Sequence, residues 1–227
     1  MHENEEILAK IRDVLGQFDQ CVQEYAHAFR MYNVPLPKGT EVDCLEGCSE
    51  VARILGERSS AVETVSKLDI VRARFVRLRV DVHAAVIESV AKSLKDKIRA
   101  ANAAHSMQPA TRDRLREIED RQVHSVQLAK TSLGRRGNQP DSSLRDIMSA
   151  VKWLQEADNE FEREIASLGP MESSVANALT RINERLHAVS DGVQTSQRSS
   201  SRFGWWGIII GVVGTVIGIV GIALTIW

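Results

Sequence analysis

The sequence has few residues that break helices or favour sheets. It contains five prolines and two tyrosines among 227 residues. Outside the C-terminal segment, its β-branched residues do not form alternating runs, which argues against a sheet protein. Ala, Leu, Glu, Lys, Arg and Gln are abundant instead, and these residues are good helix formers. We therefore expect an all-α protein.

Cysteine is also scarce, and its number is odd. Cys21, Cys44 and Cys48 do not have the spacing of a disulfide framework. Cys44 and Cys48 are four residues apart and share one face of a helix, but no nearby His or Cys supplies two further metal ligands. We expect structural thiols and no metal site.

Motifs of enzymatic and nucleic-acid chemistry are missing. The sequence has no phosphate-binding loop, dinucleotide fingerprint or paired-histidine zinc motif, and no Ser or Cys has a nucleophile signature. No basic domain with interleaved aromatics occurs, and the formal net charge is −1. The scattered histidines are His2, His27, His83, His105, His124 and His187. We expect a non-enzyme without a cofactor or a nucleic-acid partner.

Charged residues are absent from the last 25 residues of the chain. Of these, the 23 residues 205–227 are apolar or uncharged and would be about 34 Å long as a helix, which is enough to cross a bilayer. We predict one C-terminal transmembrane helix. Its expected interface anchors are the tryptophans at its two ends, Trp205, Trp206 and Trp227.

The flanking charges predict the orientation of this helix. Arg198 and Arg202 precede it and no charge follows, so the positive-inside rule places the N-terminal domain in the cytoplasm. The acidic residues 1–6 are not followed by the apolar run of a signal peptide. The expected topology is a single-pass, tail-anchored protein, and the sequence does not indicate which membrane holds it.

Glycines recur along the predicted transmembrane helix at alternating steps of three and four. They form a groove on one side of the helix, where another backbone can approach closely, and such faces drive helix association in lipid. The glycines are Gly204, Gly207, Gly211, Gly214, Gly218 and Gly221. We interpret the groove as a self-association surface; the alternatives are a contact with another protein or a simple lowering of hydrophobicity.

Apolar spacing and helix breakers divide the remaining chain into helical stretches. Pro35 and Pro37 should end the first of them, and Thr40 is expected to cap the second. From Leu68 onward the apolar repeat of the second stretch sharpens into two stripes, and a helix that is apolar on two sides should be central in a bundle or lie between partners. The stripes are Leu68, Val71, Phe75, Leu78 and Val82, and Ile70, Val76, Val80 and Ile87. The expected stretches are 3–33, 41–106 with a possible break at 59–60, a third from a kink or short break at 107–111 to about 133, and 141–168.

Charge favours an antiparallel arrangement of these stretches. Residues 67–99 contain nine basic and four acidic residues, whereas residues 141–172 contain three basic and eight acidic residues. The loop at 134–140 should fold the acidic stretch back so that opposite charges face each other, which disfavours wrong registers. Whether Arg72, Arg74, Arg77 and Arg79 pair in this way or face phosphates is left open.

The helical passages are long, at about 3–60, 62–133 and 141–200, with bends at Pro35, Pro109 and Pro170. Sustained heptads indicate an elongated antiparallel coiled-coil or helical bundle. The expected organisation is a helical cytoplasmic domain at 1–200, a short juxtamembrane linker at 201–204 and the transmembrane helix at 205–227.

This layout resembles the BAR superfamily of curved, membrane-binding dimers, and residues 85–90 (AVIESV) resemble the middle of that family's second helix. The resemblance implies a homodimer that binds membrane lipids through basic residues of its concave face and tip loop. Arg135 and Arg136 lie in the expected tip loop. The other residues at corresponding places are Lys92, Lys95, Lys97, Arg99, Arg112, Arg114 and Arg116.

Three functions follow from these patterns. The first is a membrane-anchored scaffold that dimerises and binds, senses or shapes membrane. The second is a pore-forming effector whose glycine-lined helices cluster in the membrane. The third is a coiled-coil tether or fusion adaptor that pairs through residues 172–200.

Overall fold

A computed structural model describes residues 2–32, 34, 39–57, 59–103 and 108–167. The described part of the chain is an all-α bundle. Its five helices are α1 (His2–Tyr32), α2 (Thr40–Gly56), α3 (Ala61–Ala103), α4 (Pro109–Arg135) and α5 (Pro140–Ser167). The all-α prediction is confirmed for these residues.

Helix α3 is the centre of the bundle. It has 43 residues, so it is about 65 Å long at the usual rise per residue. Helices α1, α2, α4 and α5 all pack against it, which confirms its predicted central position. One residue of the second predicted stripe is not buried. Ile70 remains 60% exposed, because it lies in the N-terminal half of α3, which α4 does not cover.

Helices α1 and α2 pack beside the N-terminal half of α3. Arg72 donates from Nε to Asp13 of α1 at 2.8 Å, and Arg79 contacts Glu24 further along, so α1 and α3 are parallel. Helix α2 is antiparallel to α3, since Lys67 is paired with Glu57 at 2.9 Å and Arg74 approaches Glu50 at 3.6 Å.

Helices α4 and α5 cover the C-terminal half of α3. Gln122 donates to the backbone oxygen of Ala91 at 3.2 Å, and Arg136 pairs with Asp81 at 3.0 Å, so α4 is antiparallel to α3. Helix α5 is parallel to α3: Arg72 pairs with Asp141 in the first turn of α5, and Lys97, further along α3, pairs with Asp158.

The chain reverses direction between α3 and α4, where the sequence predicts a kink at Pro109. Residues 62–133, expected as one long passage, therefore form two antiparallel helices. This reversal also makes α5 parallel to α3 and not antiparallel. The five-helix bundle is compatible with a BAR-like helical fold, but it is shorter than three extended passages would be.

Two clusters of buried side chains hold the helices together. The first joins α1, α2 and α3, and its buried residues are Val14, Cys21, Val51, Ile54, Leu68, Val71, Phe75 and Leu78. The second joins α3, α4, α5 and the end of α1. Its largest fully buried side chains are Ile87, Leu94, Ile98, Leu115, Ile147, Leu154 and Phe161. Burial of such side chains is worth about 1.5–3 kcal/mol each, so this apolar contact is the main source of the fold's stability.

The helices begin near the predicted residues, but the N-cap residue of α2 differs from the prediction. Thr40 is the first residue of α2, and Gly39, with φ of 91°, occupies the cap without a side-chain hydrogen bond. The predicted cap at Thr40 is therefore wrong. Glycine accepts this positive φ at little cost. Pro109 lies in the first turn of α4 and Pro140 begins α5, positions where proline's missing N–H has no helical partner to lose.

No helix within the described ranges is long and apolar enough to cross a membrane. The predicted transmembrane helix at 205–227, the linker at 201–204 and the end of the helical domain from residue 168 onward lie outside the described residues. The glycine groove and the interface tryptophans remain predictions.

Candidate functional site

One face of α3 changes character along its length. In the N-terminal half, the residues that recur on this face every three or four positions are buried, among them Leu68, Phe75 and Val82. The residues that continue this spacing on the same face are Ser89, Lys92, Asp96 and Arg99. These later residues are half-buried or exposed, because α2 covers this face only in the N-terminal half of α3.

Three predicted lipid-contact residues lie together on this uncovered part of α3. Lys92, Lys95 and Arg99 follow each other at steps of three and four, and all three are exposed. The Arg99 side chain is 70% exposed, and Asp96 approaches it at 4.0 Å. Such a long, exposed contact adds little attraction, so the guanidinium is available to another anion.

Two further predicted residues lie on the adjoining flank of α4. Arg121 of α4 contacts α5. Because each residue turns the helix by 100°, Arg112 and Arg116 lie about 140–180° around α4 from Arg121 and face away from α5. Both are exposed. Arg116 is 79% exposed, with Asp113 at 3.7 Å. We call Lys92, Lys95, Arg99, Arg112 and Arg116 the basic face.

Carboxylates are interspersed among the residues of the basic face. Asp96 and Asp113 lie near Arg99 and Arg116, and Glu119 is half-buried on the same flank of α4. Glu88, four residues before Lys92, and Asp120, four residues after Arg116, are also exposed, so the carboxylates equal the cations in number.

Lys97 does not belong to the basic face, although it lies within the same stretch of α3. Its ammonium donates to Asp158 at 3.0 Å and to Glu162 at 2.6 Å, both on α5. Burial opposes its charge, yet these two hydrogen bonds outweigh burial and raise the pKa of Lys97. Arg114 is also separate, since it lies on the α5 flank of α4 and pairs with Glu117 at 3.2 Å.

Arg135, the last residue of α4, and Arg136, the first residue after it, are both bound within the bundle. Arg135 donates to Asp146 at 2.6 Å. Arg136 pairs with Asp81 at 3.0 Å and donates to the backbone oxygen of Leu133 at 2.8 Å. The contact with Asp81 places the α4–α5 loop beside the middle of α3 and not at an end of the bundle. Their predicted lipid role stays a prediction, and the contacts give them a structural role.

The α1–α3 interface contains a buried arginine that the sequence did not distinguish from its neighbours. Arg79 is 7% exposed and donates to both carboxylate oxygens of Glu24, at 2.9 and 2.6 Å. Its Nη1 donates to the side-chain oxygens of Gln17 and Gln20 at 2.6 and 2.7 Å. Of the arginines whose role the sequence left open, Arg72 contacts α5, while Arg79 contacts α1. Heptad position could have identified Arg79, because it lies four residues after Phe75 and three before Val82, on the first apolar stripe.

The three cysteines lie around the α1–α2–α3 core as structural thiols. Cys21 is buried, and Cys44 and Cys48 pack against the same cluster. A hydrogen bond with Cys44 together with burial raises the pKa of Cys21 well above the usual range, and burial raises that of Cys48 to about 11. Thiols with raised pKa values are poor nucleophiles. Among the described residues no group of His, Cys, Asp or Glu is suited to hold a metal ion.

Helix α5 ends close to the C-terminal end of α3. The Lys97–Glu162 pair aligns the C-terminal ends of α3 and α5, and α5 ends five residues later at Ser167. The last described residue therefore lies at the end of the bundle that contains Arg99 and Arg112.

Comparison with known proteins gives no family for this chain. No protein-family model, curated protein or solved structure matches it significantly.

Proposed function

We propose that this protein is a membrane-anchored helical scaffold whose basic face binds the anionic headgroups of the membrane that holds it. The observation that supports this most directly is the exposure of Lys92, Lys95 and Arg99 on a face of α3 that no other described helix covers. Arg112 and Arg116 extend the same surface onto α4.

Electrostatic attraction can hold the basic face against anionic lipid once the protein is anchored in the same membrane. Each Lys or Arg near an anionic leaflet contributes about 1 kcal/mol, so five contribute at most about 5 kcal/mol, and the carboxylates between them, Glu88 and Asp120 included, reduce this value. This would be weak for a free protein. An anchor at 205–227 removes most of the entropy cost of association, because the surface is already held near the bilayer.

Dimerisation and membrane shaping are the finer parts of this proposal. They derive from the BAR resemblance, and the helical bundle is compatible with them. A bundle held at one end by its anchor and along one side by lipid would lie against the bilayer, where several copies can bend it.

Amine footprinting on the full chain tests the lipid contact. The protein is reconstituted into phosphatidylcholine vesicles with or without phosphatidylserine, and exposed lysines are acylated by a membrane-impermeant reagent. We expect phosphatidylserine to protect Lys92 and Lys95 about threefold, and 0.5 M salt to remove that protection by screening. Lys152 of α5, 75% exposed, is the internal control and should react equally in both vesicles.

Charge reversal provides the matched variants. Lys92→Glu, Lys95→Glu and Arg99→Glu combined should abolish phosphatidylserine-dependent vesicle deformation, whereas Lys152→Glu should preserve it. Deletion of 205–227 should release the protein from vesicles washed with high salt. Equal acylation of Lys92 and Lys95 in the two vesicle types would exclude the proposed lipid contact.

A further inference from the structure

Helix α1 has more apolar surface than the described bundle covers. Its core-facing residues, such as Cys21, are buried. A second apolar stripe recurs every seven residues, and so follows one side of the helix; it consists of Leu8, Leu15, Val22 and Phe29. None of these residues packs against either cluster of buried side chains. The middle two are half-buried, whereas Leu8 is 43% and Phe29 39% exposed, so this side of α1 lacks a neighbour among the described helices.

Helix α2 adds apolar residues on the same side. A hydrogen bond between Cys21 and Cys44 joins α1 to α2. Val22 and Leu45 each follow one of these cysteines, so each turns about 100° away from the contact, toward the outside of the bundle. Val42, about one turn before Leu45, is 57% exposed, and Leu45 itself is 39% exposed. We call the outer crevice between the two helices the apolar groove. Its residues are Leu8, Leu15, Val22, Phe29, Val42 and Leu45.

Residues 175–193, which lie outside the described part of the chain, have a matching apolar stripe. Its members recur at steps of four and three and are Val175, Leu179, Ile182, Leu186, Val189 and Val193. The positions on both sides of this stripe are mostly small and uncharged. They are Ala176, Ala178, Asn183, Arg185, Ser190 and Gly192. A two-helix coiled coil usually has charged residues at these positions, whereas a helix that packs between two others needs a wide apolar face. The composition therefore favours a site between two helices.

We propose that the apolar groove binds residues 175–193 of the same copy of the chain, as a helix antiparallel to α1. The segment from Val175 to Val193 would be about 27 Å long as a helix, and the groove from Leu8 to Phe29 extends about 31 Å. Both apolar stripes repeat every seven residues, so their layers stay level along the whole contact. The expected layers are Phe29 with Val175, Val22 with Ile182, and Leu15 with Val189.

The end of α5 lies within reach of the groove. Gln155 of α5 donates to the hydroxyl of Tyr32, at the C-terminal end of α1, at 2.7 Å. Helix α5 continues to Ser167, about 18 Å further along the bundle. Residues 168–174 can span about 24 Å when extended, so they can return to the level of Tyr32 and still cross about 15 Å sideways. Neighbouring helix axes are about 8–10 Å apart. The segment therefore enters the groove at the C-terminal end of α1, and the short connection favours the same copy over a second one.

Docking would determine whether the segment can act as a coiled-coil tether. While its apolar stripe lies in the groove, the same residues cannot pair with a partner chain, so docking and tethering exclude each other. The lipid contact under the proposed function uses Lys92, Lys95 and Arg99 and none of the groove residues. The two proposals can therefore fail independently.

Alkylation of the native cysteines in the full chain tests the docking. Cys48 is half-buried and lies one turn after Cys44, beside the groove. The protein is reconstituted in phosphatidylcholine vesicles and treated with N-ethylmaleimide, and each thiol is followed by mass spectrometry. Leu179→Asp with Leu186→Asp should release the segment, because buried carboxylates without partners are unfavourable, and accelerate alkylation of Cys48 about fivefold. Equal rates in this variant and in the unmodified chain would overturn the proposal.

A matched control places the same charges on the other side of the segment. Thr180→Asp and Ala188→Asp both lie about 140° around a helix from the stripe, and together they should leave the rate at Cys48 unchanged. Buried Cys21 should remain slow in all variants, which shows that the bundle stays folded. Equal acceleration by both pairs of substitutions would contradict docking through the apolar stripe.

Cross-linking identifies which copy supplies the segment. In the proposed arrangement Asn183 faces the outer rim of α1, near Asp19, which is exposed. Equal amounts of ¹⁴N- and ¹⁵N-labelled Asn183→Lys protein are reconstituted together and treated with a zero-length carbodiimide. We expect links between the new lysine and Asp19 within one isotope. Glu184→Lys, on the outer side of the segment, is the control and should not give this link. Light–heavy links would assign the groove to the segment of a second copy and overturn the same-copy proposal, and the absence of any link to Asp19 would refute the docking.

Discussion

Arg79 of α3 and Glu24 of α1 form a two-pronged ion pair, with distances of 2.9 and 2.6 Å, at the interface of two parallel helices. Arg79→Met should lower the free energy of unfolding by about 3 kcal/mol, because it leaves Glu24 without its main partner in a mostly buried place. Chemical unfolding of the full chain in a neutral detergent, followed by circular dichroism, measures the loss. Arg99→Met, at an exposed position, is the control and should change stability by less than about 0.5 kcal/mol. Equal stability of the two variants would show that the Arg79 pair is not structural.

Glu24 should make the stability of the bundle depend on pH in acid. Burial opposes its ionisation, but the neighbouring His83, whose Nε2 lies 3.2 Å from the carboxylate, and the hydrogen bonds from Arg79 outweigh burial and lower its pKa from 4.5 to about 2. A carboxylate with a lowered folded-state pKa stabilises the fold above its unfolded pKa. Its contribution, about 2 kcal/mol after allowance for partial exposure, should be lost as pH falls from about 4.5 to about 2.

The pH dependence can be assigned to this residue with one substitution. Glu24→Gln should remove that part of the acid destabilisation between pH 5 and pH 2, measured as the unfolding midpoint in urea. Glu88→Gln, on the exposed side of α3, should leave the pH profile as in the unmodified chain. A profile that Glu24→Gln does not flatten would assign the acid sensitivity to other carboxylates.

Gly47 allows α2 to approach the ring of Phe75. A Cβ at position 47 would lie 2.7 Å from Cζ of Phe75, and that ring is 1% exposed and packs against Phe18 at a centroid distance of 5.4 Å. Because the ring cannot move freely, Gly47→Ala should be destabilising by about 1–2 kcal/mol, the overpacking cost less the gain in helix propensity.

A second helical glycine provides the control for this substitution. A Cβ at Gly16 of α1 would meet nothing within 4 Å, so Gly16→Ala should stabilise the bundle by up to about 1 kcal/mol. Thermal unfolding of both variants should shift the midpoint in opposite directions. Stabilisation by both would mean that Phe75 moves aside at little cost.

Reversing the charges of the α4–α5 loop distinguishes structural arginines from lipid-binding ones. Arg135→Glu with Arg136→Glu places new carboxylates against Asp146 and Asp81, and burial already raises the pKa of Asp81. We expect a lower unfolding midpoint, by several degrees, and unchanged lysine footprints at Lys92 and Lys95. If phosphatidylserine no longer protected these lysines while the unfolding midpoint stayed the same, Arg135 and Arg136 would be part of the lipid-binding site.

Local chemistry made much of the helical layout predictable. Pro35 and Pro37 follow the end of α1, the glycine-rich loop separates α4 from α5, and the stripe from Leu68 to Val82 is buried as expected. These features depend on neighbouring residues, because proline removes a backbone donor and apolar spacing of three and four defines a helix face. The central position of α3 followed from its two apolar sides.

The path of the chain at Pro109 was decided by tertiary packing. A proline after a helix is compatible with both a kink and a reversal, so the sequence did not distinguish one long passage from two antiparallel helices. Burial of Leu115 and Ile118 against α3 and α5 favours the reversal, because a continuing helix would leave both side chains in water. The direction of α5 relative to α3 follows from that same reversal.

The sequence by itself determined the helical class, most helix boundaries and a clustering of basic residues near the end of α3. Tertiary structure decided which of those residues are free. Lys92, Lys95 and Arg99 lie where α2 no longer covers α3, whereas Lys97, only two residues from Lys95, faces α5 and is bound there. A charged residue has the same local preferences in either place, and its availability depends on the helix that packs opposite it.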